Sequence, residues 1–234
     1  MILPQLIAHH LRHGDDRQFY AMQAKDAIEW MRTHGIDFSL GPRVLDLGCG
    51  HGVFGASLKQ VGCTVSFADI TCQLNSDLEG EPFLAIDLDQ GDLSGLGQYP
   101  LIVCSNVFEH LARPRHFIEN IAHALEPEGM LYLSWTNWLS PWGGHDFSPF
   151  HYLGPNWGPR SFDRLIGKQR IHEPFKTLYP TYIGQTLSWI ERQEGLKVIH
   201  CVPRYYPEMS WITRLPILRE FLTWNTAMLI QRTS

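Results

Sequence analysis

The sequence predicts an α/β protein built on a parallel, doubly wound sheet, and three observations carry that expectation. Apolar strand-like runs alternate with helical periods from Arg43 to Trp135, the order that parallel βαβ units require. The run Val44-Leu45-Asp46-Leu47-Gly48-Cys49-Gly50-His51-Gly52 sets glycines between a short buried strand and the start of a helix, where a nucleotide-binding turn belongs. Asp69 closes the next strand 19 positions after Gly50, where an acid can hold a ribose diol.

The elements follow in order. Residues 1–40 read as helical, with Phe19, Met22, Ile28 and Met31 near helical spacing and Gly35 as a stop. This N-terminal cap either covers the ligand pocket or packs on the sheet. Strand one is Arg43–Leu47, and a helix runs from about Gly52 to Gln60. Strand two is Thr64–Ala68 and strand three Phe83–Ile86. Strand four, Leu101–Ser105, is apolar throughout, as a strand buried on both faces is. A helix from Pro114 to Leu125 presents Phe117, Ile118, Ile121 and Leu125 on one side. Strand five spans Met130–Trp135, then a helix covers Thr181–Gln193, a strand Leu196–Val202 and a last strand Trp224–Gln231. Residues 136–180 and 203–222 read as insertions of a single domain that together form a substrate lid. The first is rich in glycine, proline and tryptophan, and a long loop of that texture is functional more often than structural.

Bulk composition narrows the class. The chain has 234 residues, 44% hydrophobic and 18% charged, which suits a globular domain. A net charge of −5 without a Lys/Arg run argues against nucleic acid as the partner. Five cysteines without C-x-x-C spacing read as reduced thiols of a reducing compartment. With no signal peptide and no membrane span in view, the expected location is the cytoplasm, as monomer or homodimer. The apolar segment Trp211–Leu222 leaves open a dimer surface or a membrane-surface contact.

Gly50–Gly55 formally fits G-x-G-x-x-G, the dinucleotide fingerprint, but two details argue otherwise. Gly48, not Gly50, directly follows the strand. Asp46 would also repel a pyrophosphate, while it suits a ligand with a cationic amino group.

Five blocks in order, Val44–Gly52, Asp69, Ile86–Asp89, Leu101–Leu111 and Leu125–Ser134, make the chain resemble class I S-adenosylmethionine-dependent methyltransferases. The resemblance implies a Rossmann-like, doubly wound sheet of seven strands, the last antiparallel, in three αβα layers. It implies S-adenosylmethionine as cofactor and S-adenosylhomocysteine as product. By position, Asp46 and the Gly48-Cys49-Gly50 backbone would bind the methionine end. Asp69, with Ile70 beside it, would take the ribose hydroxyls, and Asp87 with Leu88 the adenine edge. Ser105 or Asn106 would close the site, with Phe19 reaching it from the cap.

Relatives that methylate quinone-pathway phenols carry Glu-x-x-Glu-His after strand four and can hold a divalent metal there. Here those positions read Asn106-Val107-Phe108-Glu109-His110, so the first carboxylate is missing and no metal is expected. The segment Trp135–Tyr152 loosely resembles methyltransferases of sugar and cell-envelope biosynthesis. The expected acceptor is therefore a hydroxyl of a small molecule or sugar-containing intermediate. A base for that hydroxyl would come from His110, His145 or His151, each with a purely structural alternative. A donor-binding relative without methyl transfer to oxygen is the remaining alternative.

Overall fold

Along β1 (Arg43–Leu47), Leu45 and Leu47 face one side and Val44 and Asp46 the other, so the strand needs a covering layer on each face. The computed structural model describes residues 1–90, 92–168 and 171–233, and it supplies both layers. Seven strands form one sheet in the order β3-β2-β1-β4-β5-β7-β6. The further strands are β2 (Thr64–Asp69), β3 (Phe83–Ala85), β4 (Tyr99–Ser105), β5 (Leu125–Thr136), β6 (Leu196–Pro203) and β7 (Asn225–Arg232). Strand β7 runs antiparallel to both neighbours, while the pairs from β3 to β5 are parallel. The resemblance implied this architecture.

One face is covered by α2 (Arg17–Thr33) and α3 (Val53–Gln60). Ala27, Ile28, Met31 and Leu58 pack there with Val44, Phe67, Val103 and Tyr132. The other face is covered by α4 (Pro114–Ile121) and α6 (Ile183–Glu191), through Phe117, Ile118, Ile121, Ile183 and Ile190 against Leu45, Ile102, Leu131 and Ile230. Strand order reverses between β1 and β4, and ligands of open α/β sheets bind at the C-terminal strand ends beside such a switch point.

Several boundaries differ from the sequence expectation. The N-terminal region is two helices, α1 (Leu3–His13) and α2, because Asp16 accepts the Phe19 N–H at 2.8 Å and starts a new helix. Helix α4 stops at Ile121, followed by a single tight turn to Ala124. Strands β4 and β5 begin earlier, at Tyr99 and Leu125. Helix α6 starts at Ile183, where the Glu220 carboxylate accepts the N–H groups of Ile183 and Gly184 at 2.9 and 2.8 Å. That anion at a helix N-terminus comes from the second insertion, and no local spacing announces it.

The first insertion carries a small aromatic core. Phe162 of α5 (Gly154–Leu165) lies 5.5 Å from both Phe147 and Phe150, ring to ring. Arg160, Arg164 and Lys168, basic residues that follow the aromatic stretch, are exposed, and Arg170 lies outside the described residues. Trp211, Ile217, Leu218 and Phe221 of the second insertion are exposed, the last two on the short α7 (Leu218–Leu222). Among the described residues, no helix is long and apolar enough to cross a membrane.

Ile118 is fully buried between α4 and the sheet. Ile118→Ala is expected to lower unfolding stability by about 2–5 kcal/mol in urea titration.

Candidate methyl-donor and acceptor site

The glycine bend is tied from behind. Gly48 N–H and Cys49 N–H both donate to the Ala68 carbonyl, at 2.7 and 3.1 Å, and Gly50 N–H donates to Asp69 Oδ2 at 2.8 Å. Gly55 N–H donates to Asp46 Oδ2 at 2.7 Å. The amides of Gly48, Cys49, Gly50 and Gly55 are therefore already engaged, which leaves the bend fewer N–H groups for a pyrophosphate. Gly48 has φ +71, and a Cβ there would lie 2.4 Å from a methyl of Val107, so glycine is required where β1 passes the β4 end.

Asp46 itself is 3% exposed. Burial pushes its carboxyl up to about 7, against the pull of the Gly55 N–H. Asp69 stands at the end of β2 with Oδ1 accepting the Ile70 N–H at 2.7 Å. Beside it Ile70 is an exposed apolar side chain. Cys49 is buried. Asp87 follows β3, its Oδ1 accepting the Asp89 N–H at 2.9 Å, while the Leu88 side chain packs into the core. Asp89 has a role that sequence reading did not separate. Its two oxygens accept the N–H groups of Ala112 and Arg113, at 3.0 and 2.7 Å, tying the β3 turn to the approach of α4.

At the end of β4, Ser105 Oγ accepts from Ser134 Oγ at 3.1 Å. Asn106 adopts φ +57, a conformation asparagine tolerates better than most residues. Its amide donates to Gln23 Oε1 at 3.0 Å, and its oxygen accepts from Arg204 at 3.2 Å and from Asn225 at 3.0 Å. Arg204 is buried, donates also to Ser134 Oγ and the Gln23 carbonyl, and lies over Tyr132. This node fastens α2 to the switch point. Gln23 and Arg204 gave no sequence signal, because their partners are 83 and 98 positions from them. Phe19 is partly exposed near the start of α2, its ring 5.6 Å from Tyr20 and beside His9 and His10.

Three histidine rings gather at the β4 end. His110 lies 5.5 Å from His145 and 5.3 Å from His172, and His145 lies 4.9 Å from His172. His110 Nδ1 faces the Thr177 carbonyl at 2.6 Å and His172 Nδ1 faces the Asp146 carboxylate at 2.7 Å. Each Nδ1 is therefore placed to donate a hydrogen bond. Glu109 is buried beneath them. Its Oε1 accepts the Thr136 N–H at 2.8 Å and lies 3.9 Å from His145 Nε2.

His145 is delivered by the turn Gly143-Gly144. A Cβ at Gly143 would lie 1.8 Å from the Trp138 carbonyl oxygen, and His145 itself adopts φ +51. Burial, with His110 and His172 alongside, pushes His145 down to about 3, so the ring is neutral at physiological pH. His151 is placed apart from this group. It is buried edge-on to Trp138 at 5.3 Å and against Tyr152 at 3.9 Å.

A doubly wound sheet with β7 antiparallel, an acid-flanked glycine bend after β1 and acids after β2 and β3 together define a class I methyltransferase fold. Residues 17–201 match the family described as a methyltransferase domain, and the chain belongs to that family. A protein of Mycobacteroides abscessus named uncharacterized methyltransferase is 27% identical over 240 residues, spanning 97% of this chain and 92% of its own. The structure of an S-adenosylmethionine-dependent methyltransferase from Mesorhizobium loti is similar with TM-score 0.57 and 20% identity, covering 89% of this chain and all of that one. Magnesium protoporphyrin IX methyltransferase from Synechocystis, with bound S-adenosylhomocysteine, is similar with TM-score 0.54 and 17% identity, covering 93% of this chain and 86% of that one. The protein is an S-adenosylmethionine-dependent methyltransferase.

Two outcomes are expected of the donor site. Asp69→Ala should keep its circular dichroism and lose about 10–100-fold in S-adenosylmethionine affinity by calorimetry, the worth of a hydrogen bond to a charged group. Because the raised Asp46 pKa keeps its carboxyl protonated below about pH 7, donor affinity should fall with pH there, by at most about tenfold per unit. The donor's own amino group titrates nearby, so the check is the difference from Asp46→Asn, whose profile should lack that loss.

Proposed function

We propose that this methyltransferase methylates a hydroxyl of a small molecule or sugar-containing intermediate seated against the His110–His145–His172 cluster. The donor lies along the strand ends, its methionine group at Asp46 and Gly48–Gly50, its ribose at Asp69 and its adenine at Asp87 and Leu88. Ile70 covers one side of the adenosine. Ser105 and Asn106 stand at the β4 end, and Phe19 approaches from the cap formed by residues 1–40. The insertions 136–180 and 203–222 form the lid. A net charge of −5 disfavours a nucleic-acid acceptor, and the cytoplasm is the expected compartment.

The observation that carries this reading is the gathering of three imidazoles and Glu109 at the end of β4, beside the donor site. Methyl transfer is an in-line displacement. The methyl–sulfur bond breaks as the methyl–oxygen bond forms, the sulfonium becomes a neutral thioether, and the hydroxyl proton leaves through the cluster. Holding the reacting atoms within about 3–3.5 Å supplies much of the rate, and a positioned imidazole contributes about 10²–10⁴-fold. His110 and His145 are the candidates in contact with the cluster. His151 sits inside the lid's aromatic packing and is better placed to shape it.

The test is S-adenosylhomocysteine formation, followed by mass spectrometry, over hydroxylated sugars, phenols and glycolipids with amines as controls. Products methylated on oxygen are expected. His110→Gln should lower kcat by about 10²–10⁴-fold with donor affinity retained. Methylation confined to nitrogen or carbon, or full activity in that variant, would refute the assignment.

A further inference from the structure

We propose that Glu109, His110 and His145 bind a divalent transition-metal cation and that this cation fastens the lid to the end of β4. The ligand atoms of Glu109, His110 and His145 all lie within 4.8 Å of one another. A Zn²⁺-sized ion takes metal–nitrogen and metal–oxygen distances of about 2.0–2.2 Å, so the three groups would draw slightly together on binding it.

Three independent features point to a cation rather than to an ordinary polar cluster. First, the His110 ring is oriented as metal ligands are. Its Nδ1 faces the Thr177 carbonyl at 2.6 Å, the outer-shell arrangement that ligating histidines almost always show. Second, a buried carboxylate oxygen of the cluster lacks a partner. Glu109 is 1% exposed, and its Oε2 is buried without a hydrogen bond among the described residues. A carboxylate taken that far out of water is costly unless a positive charge compensates it. Among the described residues the only basic group within 4 Å of it is His145. Third, the lid backbone is strained to deliver its ligand, with His145 at φ +51 after the tight Gly143 turn.

The donor chemistry selects the ion. Imidazole nitrogens with one carboxylate suit zinc, cobalt, nickel or iron, and they suit magnesium or calcium poorly. The strand-four motif alone supplies only two donors, which is why sequence reading expected no metal. The insertion supplies the third, His145, 35 positions beyond His110. This deepens the proposed function and rests on it for the acceptor's place. A cation held by Glu109, His110 and His145 would polarise an acceptor hydroxyl beside it and lower its pKa, easing loss of the proton. His110 would then act as its ligand rather than as the base.

The experiment uses the full chain, freed of metal by dialysis against a chelator, titrated with Co²⁺ and read by visible absorption, then with Zn²⁺ as competitor and Mg²⁺ as control. One Co²⁺ per chain is expected, displaced by Zn²⁺ and not by Mg²⁺. Glu109→Gln and His145→Ala should each weaken it by at least about tenfold, with folding checked by circular dichroism and donor affinity by calorimetry. No saturable Co²⁺ or Zn²⁺ binding, or binding unchanged in both variants, overturns the site. S-adenosylhomocysteine formation is measured on the same preparations. Methyl transfer to oxygen without cation binding overturns this site and leaves the proposed function standing, whereas cation binding without methyl transfer supports the site and removes the proposed function.

Discussion

Two carboxylates on adjacent strands hold the glycine bend in shape, and the donor site follows from that constraint. Asp46 draws in the Gly55 N–H from the start of α3, and Asp69 draws in the Gly50 N–H. The Ala68 carbonyl takes the two amides between. A loop with these N–H groups turned inward has less to give a phosphate. The same sequence pattern, G-x-G-x-x-G in outline, thus serves opposite ligand charges according to where its amides point. Which way they point is set by acids on the strands beneath.

A second constraint acts at the switch point. Asn106 sits in a left-handed conformation at the end of β4, gripped by Gln23 from α2, Arg204 from the end of β6 and Asn225 from the start of β7. A buried guanidinium bonded only to neutral acceptors is costly to bury. It is retained where it joins three sheet strands and the cap helix beside the functional site. The N-terminal region is therefore part of the sheet's packing through Ala27, Ile28 and Met31, and part of the site's frame through Gln23.

The insertions complete the acceptor side by packing rather than by motif. Phe147, Phe150 and Phe162 form a core of their own. That core lets a glycine-rich turn hold His145 against Glu109 and brings His172 within ring contact of His110. The tryptophan-rich texture of the segment reflects this accessory core as much as any surface for acceptor.

The glycine bend and the acids that hold it were legible in the chain because their determinants are local. A strand, a glycine bend and an acid at the end of the next strand lie within about 25 residues, so spacing alone orders them. The alternation of apolar runs likewise announced the parallel sheet, and the resemblance supplied its antiparallel last strand. Helix ends were less legible: the split at Asp16 and the Glu220 anchor of α6 depend on single hydrogen bonds that periodicity does not encode. The histidine cluster at the end of β4 was decided by tertiary structure. Glu109, His145 and His172 are far apart in the chain, and no period relates them. Burial made one carboxylate and three rings neighbours, left Glu109 Oε2 without a partner and kept His145 neutral. Long-range packing alone produces those environments, because the desolvation and the neighbours that define them exist only once the insertion has folded onto the sheet.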